Sequence, residues 1–97
     1  MTPDLKQIAL HFRNGLLGKR PSDQMCFAVC YALRGYLQML GITTELIEGE
    51  FMRAHHCWLV LSDGRVLDPT QDQFSGPLKR FPKVYLGPAL EFYSNQL

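Results

Sequence analysis

Residues 54–70 read AHHCWLVLSDGRVLDPT, and this stretch decides how the rest of the chain is interpreted. Two apolar runs flank the dipeptide Asp63-Gly64, which is typical of a β-hairpin turn. The second run ends at Asp68, because the proline that follows cannot donate to a strand ladder. In such a hairpin Asp68 lies near the end of the strand that carries His56. The sequence therefore predicts a carboxylate beside an imidazole, an arrangement that orients a histidine for proton transfer.

The composition is that of a single folded domain. The chain has 97 residues, of which 46% are hydrophobic and 20% are charged, so one globular domain over residues 1–97 is expected rather than disorder. The net charge of +1 gives no basic footprint for nucleic acid. No apolar run reaches the length of a membrane span, and no secretory signal is visible. We therefore expect neither nucleic acid nor membrane as a partner.

The cysteine content indicates the redox environment. The three cysteines are Cys26, Cys30 and Cys57, and an odd number cannot be fully paired within one chain. Free thiols in a reducing compartment are favoured over a disulfide framework. The expected location is the cytoplasm.

Two helices are predicted ahead of the hairpin. Apolar residues at helical spacing predict an amphipathic helix over residues 4–14, which Asn14-Gly15 ends. Residues 24–40 carry a continuous apolar stripe and predict a longer, central helix. The candidate caps of this central helix are Ser22 or Asp23 at its start and Gly41 at its end.

The remaining segments predict strands that follow one another in sequence. Residues 42–52 are rich in β-branched types and indicate a strand, with Gly49 as a bulge or turn. Residues 70–79 indicate a loop or a single helical turn, residues 81–86 a last strand and residues 89–97 a short terminal helix. Helices followed by consecutive strands are typical of an α+β fold, here a small antiparallel sheet packed on the central helix.

Three side chains along this chain suit thiol chemistry. A thiol attacks an acyl group only as the thiolate, and Cys26 in the first turn of a helix faces the positive end of the helix dipole, which lowers a thiol pKa. An imidazole lowers it further and later protonates the leaving group, while a carboxylate fixes the tautomer of that imidazole. Cys26, His56 and Asp68 fill these roles as nucleophile, general acid/base and orienting residue.

These residues resemble the transglutaminase-like branch of the papain-like cysteine enzymes. The resemblance covers about residues 22–73, and its motifs are the helix-borne Cys26, the helix end Leu40-Gly41-Ile42, the strand His56-Cys57-Trp58 and the run Asp68-Pro69-Thr70. It implies a papain-like core and a Cys-His-Asp triad that needs no cofactor. It also implies a peptide or protein substrate, because relatives include peptidases, transglutaminases, deamidases and the leader peptidases of lasso-peptide pathways.

The chain departs from that family pattern near the nucleophile. A glycine often precedes the nucleophile in the family, whereas Gln24-Met25 precede Cys26 here. The papain branch uses an upstream glutamine for the oxyanion, and Arg20 occupies about that position. Gln24, with the N–H of Cys26, is a candidate oxyanion donor, and Trp58 is a candidate substrate contact. Because the chain is short for a peptidase of this class, an accessory partner or a second copy could supply a substrate-binding lobe.

Other interpretations of the same residues remain open. Cys30 could be the nucleophile, although it lies one turn further from the helix start. Cys26, Cys30, His56 and Cys57 could form a zinc set, although adjacent strand residues point to opposite faces and the usual Cys-x-x-Cys knuckle is absent. The chain could also be an inactive member of the fold that binds a partner. His55 is expected at the surface.

Overall fold

Two helices and five strands are found in the part of the chain that the structure describes. This computed structural model describes residues 4–94. The elements are α1 (Leu5–Leu17), α2 (Cys26–Met39), β1 (Thr44–Phe51), β2 (Ala54–Leu61), β3 (Val66–Asp68), β4 (Tyr85–Gly87) and β5 (Tyr93–Ser94), with a 3₁₀ turn at Gln71–Phe74. The strands form an antiparallel sheet in the order β4-β3-β2-β1-β5. The predicted α+β class is confirmed.

Helix α1 extends past its predicted end. Its N-cap is Asp4, whose carboxylate accepts the N–H of Lys6 at 3.0 Å. The prediction that Asn14-Gly15 ends the helix is wrong, because the helix continues to the buried Leu17 and ends at Gly18, which has a φ of 61°. A glycine inside a helix costs about 1 kcal/mol, and the burial of an apolar residue in the next turn outweighs that cost.

Helix α2 begins at Cys26. Neither predicted N-cap is used. The Ser22 hydroxyl donates to Asp72 Oδ1 at 2.8 Å, and the N-cap residue is Met25, which makes no side-chain hydrogen bond to the helix. The chain turns just before the helix, where Gln24 has a φ of 62°. Cys26 is therefore the first residue of α2, whereas the sequence pattern places it two residues after the start of the helix.

The C-terminal end of α2 is closed by a Schellman motif. The N–H of Gly41 donates to the carbonyl of Gln38 at 3.0 Å, and the N–H of Ile42 donates to the carbonyl of Leu37 at 2.9 Å. Gly41 has a φ of 84°, the left-handed conformation that this motif requires. The C-cap is Leu40 rather than the predicted Gly41, and Gly41 is the left-handed residue that follows it.

Strands β1 and β2 pair without interruption. Gly49 pairs with His56 in a regular register, so the predicted bulge or turn at Gly49 is wrong. The chain turns instead at Met52 and Arg53, which both have positive φ. The N–H of Met52 donates to the carbonyl of Phe92 at 3.0 Å, so a distant segment stabilises this turn.

The second hairpin has the turn that the sequence predicts. Gly64 has a φ of 89°, and the N–H of Leu61 donates to the carbonyl of Arg65 at 2.9 Å. The pair Leu59↔Leu67 fixes the register. Asp68 then follows at the end of β3, diagonally across from His56.

The chain after β3 differs in part from the predictions. The 3₁₀ turn agrees with the helical turn predicted within residues 70–79. The strand predicted over residues 81–86 is found only at its end, as the short strand β4. The terminal helix predicted over residues 89–97 is wrong where it can be compared, because Tyr93 pairs with Phe51 of β1; residues 95–97 lie outside the described residues. The rings of Phe51 and Tyr93 are 4.7 Å apart, and this aromatic contact favours the strand.

The main core lies between α2 and one face of the sheet. Its buried members are Ala9, Cys26, Cys30, Leu33, Leu37, Cys57, Leu59, Leu67 and Val84. Side chains alternate along a strand, so His56 and Trp58 belong to the other face, where they join an aromatic cluster around Phe51. Neither helix within residues 4–94 is long and apolar enough to cross a membrane.

Candidate active site

The three side chains predicted to form a triad lie together. His56 Nε2 is 2.8 Å from Asp68 Oδ2, and both side chains are fully buried. The Cys26 sulfur lies beside the His56 ring, close enough for each group to shift the pKa of the other. Because Nε2 is bonded to Asp68, we assign the contact with the sulfur to Nδ1. Thiol, imidazole and carboxylate therefore follow one another in the order that a nucleophilic cysteine needs.

Cys26 lies where the tip of α2 meets β2. Its sulfur lies near the backbone N–H and the thiol of Cys57. Burial raises the pKa of the Cys26 thiol, but the contacts with His56 and Cys57 outweigh burial, so the pKa is lowered overall. Cys26 is 7% exposed. A small reagent can reach this sulfur more easily than the other two, which are fully buried.

The His56 ring lies in an apolar, aromatic setting. Its centroid is 4.8 Å from that of Phe74 and 5.9 Å from that of Trp58. Burial lowers the pKa of His56, but the hydrogen bonds with Asp68 and Cys26 outweigh it and raise the pKa to about 9. The surrounding rings exclude water, which strengthens the interaction of the imidazolium with its partners.

Asp68 is held by three donors. Its Oδ1 accepts the N–H of Thr70 at 3.1 Å, and its Oδ2 accepts from His56 and from the hydroxyl of Tyr93 at 2.7 Å. Burial and the neighbouring Asp68 raise the pKa of Tyr93, so the hydroxyl keeps its proton and remains a donor. Sequence reasoning missed Tyr93, because it lies in a segment that predicts a helix.

Gln73 is a second polar side chain that sequence reasoning missed. Its Nε2 is 2.8 Å from His56 Nδ1 and donates to Thr70 Oγ1 at 3.4 Å. Its Oε1 accepts the N–H of Gln24 at 3.3 Å. The available signal was its position in a polar segment shortly after Asp68, where a helical turn brings a side chain back toward the strand end.

The other predicted site residues lie around this centre. Gln24 is exposed and reaches the site through its backbone N–H, and its role as an oxyanion donor stays a prediction. Trp58 is 3% exposed, packs 4.8 Å from the Tyr93 ring and borders a cavity of about 400 Å³. Its role as a substrate contact also stays a prediction. Arg20 lies elsewhere, where its guanidinium donates to two carbonyls at the end of α1.

The remaining thiols are poor nucleophiles. Cys30 is fully buried, its thiol donates to the carbonyl of Cys57 at 3.5 Å, and burial raises its pKa well above the ordinary value. Burial, together with the neighbouring Cys26, raises the pKa of Cys57 to about 12. All three cysteines are free thiols. The geometry therefore favours Cys26 over Cys30 as the candidate nucleophile.

The alternative zinc set finds no support in the structure. Within residues 4–94, no group of three or more histidine, cysteine, aspartate or glutamate side chains is arranged to hold a metal ion. His55, the neighbour of His56, is exposed as expected, and its Nε2 is 2.8 Å from Glu48 Oε1.

Comparison with known proteins adds no family or function. No protein-family model, no curated protein and no solved structure matches this chain. The resemblance to the transglutaminase-like branch therefore rests on the quoted motifs, and the case for an activity rests on the geometry of Cys26, His56 and Asp68.

Proposed function

We propose that this protein is a small thiol-dependent hydrolase or acyl transferase that acts on a peptide or amide bond. The observation that carries the proposal is the contact of the Cys26 sulfur with the His56 ring, whose other nitrogen is bonded to Asp68. The resemblance over residues 22–73 supports the same proposal, and with it a papain-like core. Three free thiols fit a reducing compartment, and we propose the cytoplasm.

The first half of the reaction forms an acyl-enzyme. His56 Nδ1 accepts the proton of the Cys26 thiol, and the thiolate attacks the carbonyl carbon of the substrate. The imidazolium then gives its proton to the leaving nitrogen as the C–N bond breaks, and a thioester remains on Cys26. The positive end of the α2 dipole favours the negative charge that develops on the carbonyl oxygen.

The second half releases the acyl group. Water or an amine gives a proton to His56 and attacks the thioester carbon, and the C–S bond breaks to return the thiolate of Cys26. The acceptor alone decides between hydrolysis and transfer. Asp68 keeps one nitrogen of the His56 ring protonated and turned toward itself, so that the other nitrogen faces the sulfur throughout.

Alkylation of the folded protein tests whether the pair is assembled. We expect iodoacetamide at pH 6 to modify Cys26 before Cys30 and Cys57, because only the Cys26 thiol has a lowered pKa and partial exposure. Peptide mass mapping identifies the labelled residue. The Cys30→Ala variant is the matched control and should label like the parent, whereas equally slow labelling of all three thiols would contradict the proposal.

Acylation tests the chemistry itself. We expect p-nitrophenyl acetate to acetylate Cys26, with a burst of p-nitrophenol equal to the enzyme present and an acetyl group found on Cys26 by mass spectrometry. Cys26→Ala should lose both signals while its circular dichroism spectrum is unchanged. A full burst from Cys26→Ala would show that another group reacts.

A second candidate is a binding module that has kept the fold without catalysis. The low exposure of Cys26 favours it, because a peptide carbonyl must reach the sulfur. The two candidates differ in the acylation experiment, since a binding module forms no thioester. An accessory partner or a second copy that widens access to Cys26 would restore acylation. Size-exclusion chromatography would then show the active species as a complex larger than the single chain.

A further inference from the structure

The ring nitrogen that must take the proton of Cys26 already has another partner. Gln73 Nε2 lies 2.8 Å from His56 Nδ1, while His56 Nε2 faces the carboxylate of Asp68. A carboxylate only accepts hydrogen bonds, so the ring donates through Nε2. An amide NH₂ only donates, so Nδ1 accepts from Gln73. These two bonds together describe a neutral imidazole.

The orientation of the Gln73 amide is set by the loop before α2. Its Oε1 accepts the N–H of Gln24 at 3.3 Å, and its Nε2 also donates to Thr70 Oγ1 at 3.4 Å. If the amide turned over, its NH₂ would meet the N–H of Gln24, and two donors would face each other. The backbone of Gln24 therefore keeps the NH₂ group directed at the His56 ring.

Cys26 and Gln73 consequently compete for one nitrogen. Transfer of the thiol proton puts a hydrogen on His56 Nδ1, which then faces the NH₂ of Gln73 and cannot accept from it. The bond from Gln73 is lost each time the thiolate forms. Gln73 thus opposes the ion pair, whereas Asp68 and the thiolate itself favour it.

Gln73 is a neutral side chain that contacts the His56 ring, whereas several other neighbours of this ring are titratable. The titratable groups around the ring are Cys26 of α2, Cys57 of β2, Asp68 of β3 and Tyr93 of β5, with Glu48 of β1 acting on Cys57. From β1 and the 3₁₀ turn, the ring meets Phe51 and Phe74. A change at Gln73 therefore alters the hydrogen bonding at Nδ1 while these groups stay in place.

We propose that Gln73 is a positioning residue whose amide competes with the proton of Cys26 for His56 Nδ1, so that formation of the thiolate–imidazolium pair costs the hydrogen bond from Gln73. The inference rests on the proposed function, because it concerns the same pair. The Gln73 hydrogen bond makes the resting Cys26 thiol less reactive than Cys26, His56 and Asp68 alone would make it.

The direct test is the titration of His56 by NMR of its ring nitrogens in a Cys26→Ala background, where the thiol no longer contributes. Gln73→Met keeps the side-chain length and removes the donor, and we expect it to raise the pKa of His56 by about half a unit to one unit. Gln73→Glu keeps an acceptor for the N–H of Gln24 and adds a carboxylate at Nδ1, so it should raise the pKa further. Gln38→Met, the same change at an exposed position of α2, should leave it unchanged.

The second test uses the intact thiol. With Cys26 present, Gln73→Met should increase the rate of iodoacetamide alkylation of Cys26 at pH 6 about three- to tenfold, because the thiolate no longer displaces a hydrogen bond. Gln38→Met should alkylate at the parental rate. Mass mapping confirms that the label is on Cys26 in each variant.

The two proposals fail in different ways. A His56 pKa that is unchanged or lowered in both Gln73 variants would overturn the role of Gln73, whatever the reactivity of Cys26. An inert Cys26 together with raised His56 pKa values would overturn the proposed function and support the role of Gln73 on the ring. If Gln73→Met does not fold, Gln73→Glu decides, because it keeps the bond to Gln24.

Discussion

Asp68 is a buried carboxylate whose two oxygens receive three hydrogen bonds, from His56, Thr70 and Tyr93. All three donors point at the oxygens of this one side chain, so its negative charge is what they stabilise. An amide at the same position has one accepting oxygen, and its NH₂ would face donors. The identity of this side chain therefore matters for both the position of the His56 ring and the stability of the fold.

We expect Asp68→Asn to slow acyl transfer about 10²–10⁴-fold while leaving a residual rate, because the tautomer and orientation of His56 are disturbed but Cys26 remains. The free energy of unfolding should fall by about 1–3 kcal/mol, since buried donors lose their acceptor. Urea denaturation and the p-nitrophenyl acetate burst measure the two effects. Asp63→Asn, in the exposed hairpin turn, is the matched control, and a loss of the same size there would contradict this account.

The thiol and the imidazole should also give a characteristic pH dependence. The pKa of Cys26 is lowered, so the thiolate forms below the pH of an ordinary cysteine, and the pKa of His56 is raised to about 9, so the imidazolium persists up to that pH. Cleavage of a peptide p-nitroanilide needs both forms, and its rate should rise with thiolate formation and fall above about pH 9. Alkylation by iodoacetamide needs only the thiolate and should not fall there. A shared alkaline decline would argue against His56 as the acid.

The sequence predicted part of this residue-level arrangement. Cys26, His56 and Asp68 could be selected because a helix start, a strand and a hairpin turn each leave a local pattern. Gln73 and Tyr93 could not, because a glutamine or tyrosine in an irregular segment has no periodicity that indicates where it points.

At the scale of elements, the end of α2 determines how the chain enters the sheet. Gly41 adopts a left-handed conformation in the Schellman motif, whereas Gly35 lies inside the helix. A Cβ atom would have nothing within 4 Å at either position, so the backbone conformation alone separates the two glycines.

We therefore expect opposite effects from the same substitution. Gly41→Ala should lower the free energy of unfolding by about 1–2 kcal/mol, because an L-residue is strained in that conformation. Gly35→Ala should raise it by about 0.5–1 kcal/mol, since alanine is the better helix former. Thermal and urea denaturation check both. Destabilisation by Gly35→Ala would show that a Cβ atom at this position clashes with a neighbour.

Element boundaries were harder to predict than element types, for identifiable reasons. The signal at Asn14-Gly15 was overridden by the burial of Leu17 one turn later. The segment around Tyr93 became an edge strand because β1 offered it a partner and Phe51 offered an aromatic contact. Both outcomes depend on parts of the chain that are distant in sequence.

At the scale of the whole molecule, an ion pair between the buried Arg13 and the half-buried Asp72 joins α1 to the site. Arg13 Nη1 lies 3.1 Å from Asp72 Oδ1 and donates to the carbonyl of Lys83 at 3.1 Å. Asp72 also accepts from Ser22, in the loop that leads to Cys26. One carboxylate thereby connects α1, the loop before Cys26 and the 3₁₀ turn. The α+β class itself was predictable, because it follows from the order of helices and strands.

We expect Arg13→Met to reduce the free energy of unfolding by about 1–3 kcal/mol, because Asp72 loses a partner and the carbonyl of Lys83 loses its donor. The rate of Cys26 alkylation should change as well, since the loop before α2 is less firmly held. Urea denaturation and mass mapping measure these effects. Arg80→Met, at an exposed position, serves as the control and should behave like the parent.

The helix that carries Cys26 and the strands that carry its partners occupy separate stretches of the chain, divided at the glycine turn after α2. A chain that ends at that turn lacks His56 and Cys57, so none of the contacts that lower the pKa of the Cys26 thiol is present in it. The same division suggests a split protein: fragments 1–41 and 42–97 would each be inert, and the return of thiol reactivity on mixing would report their complementation.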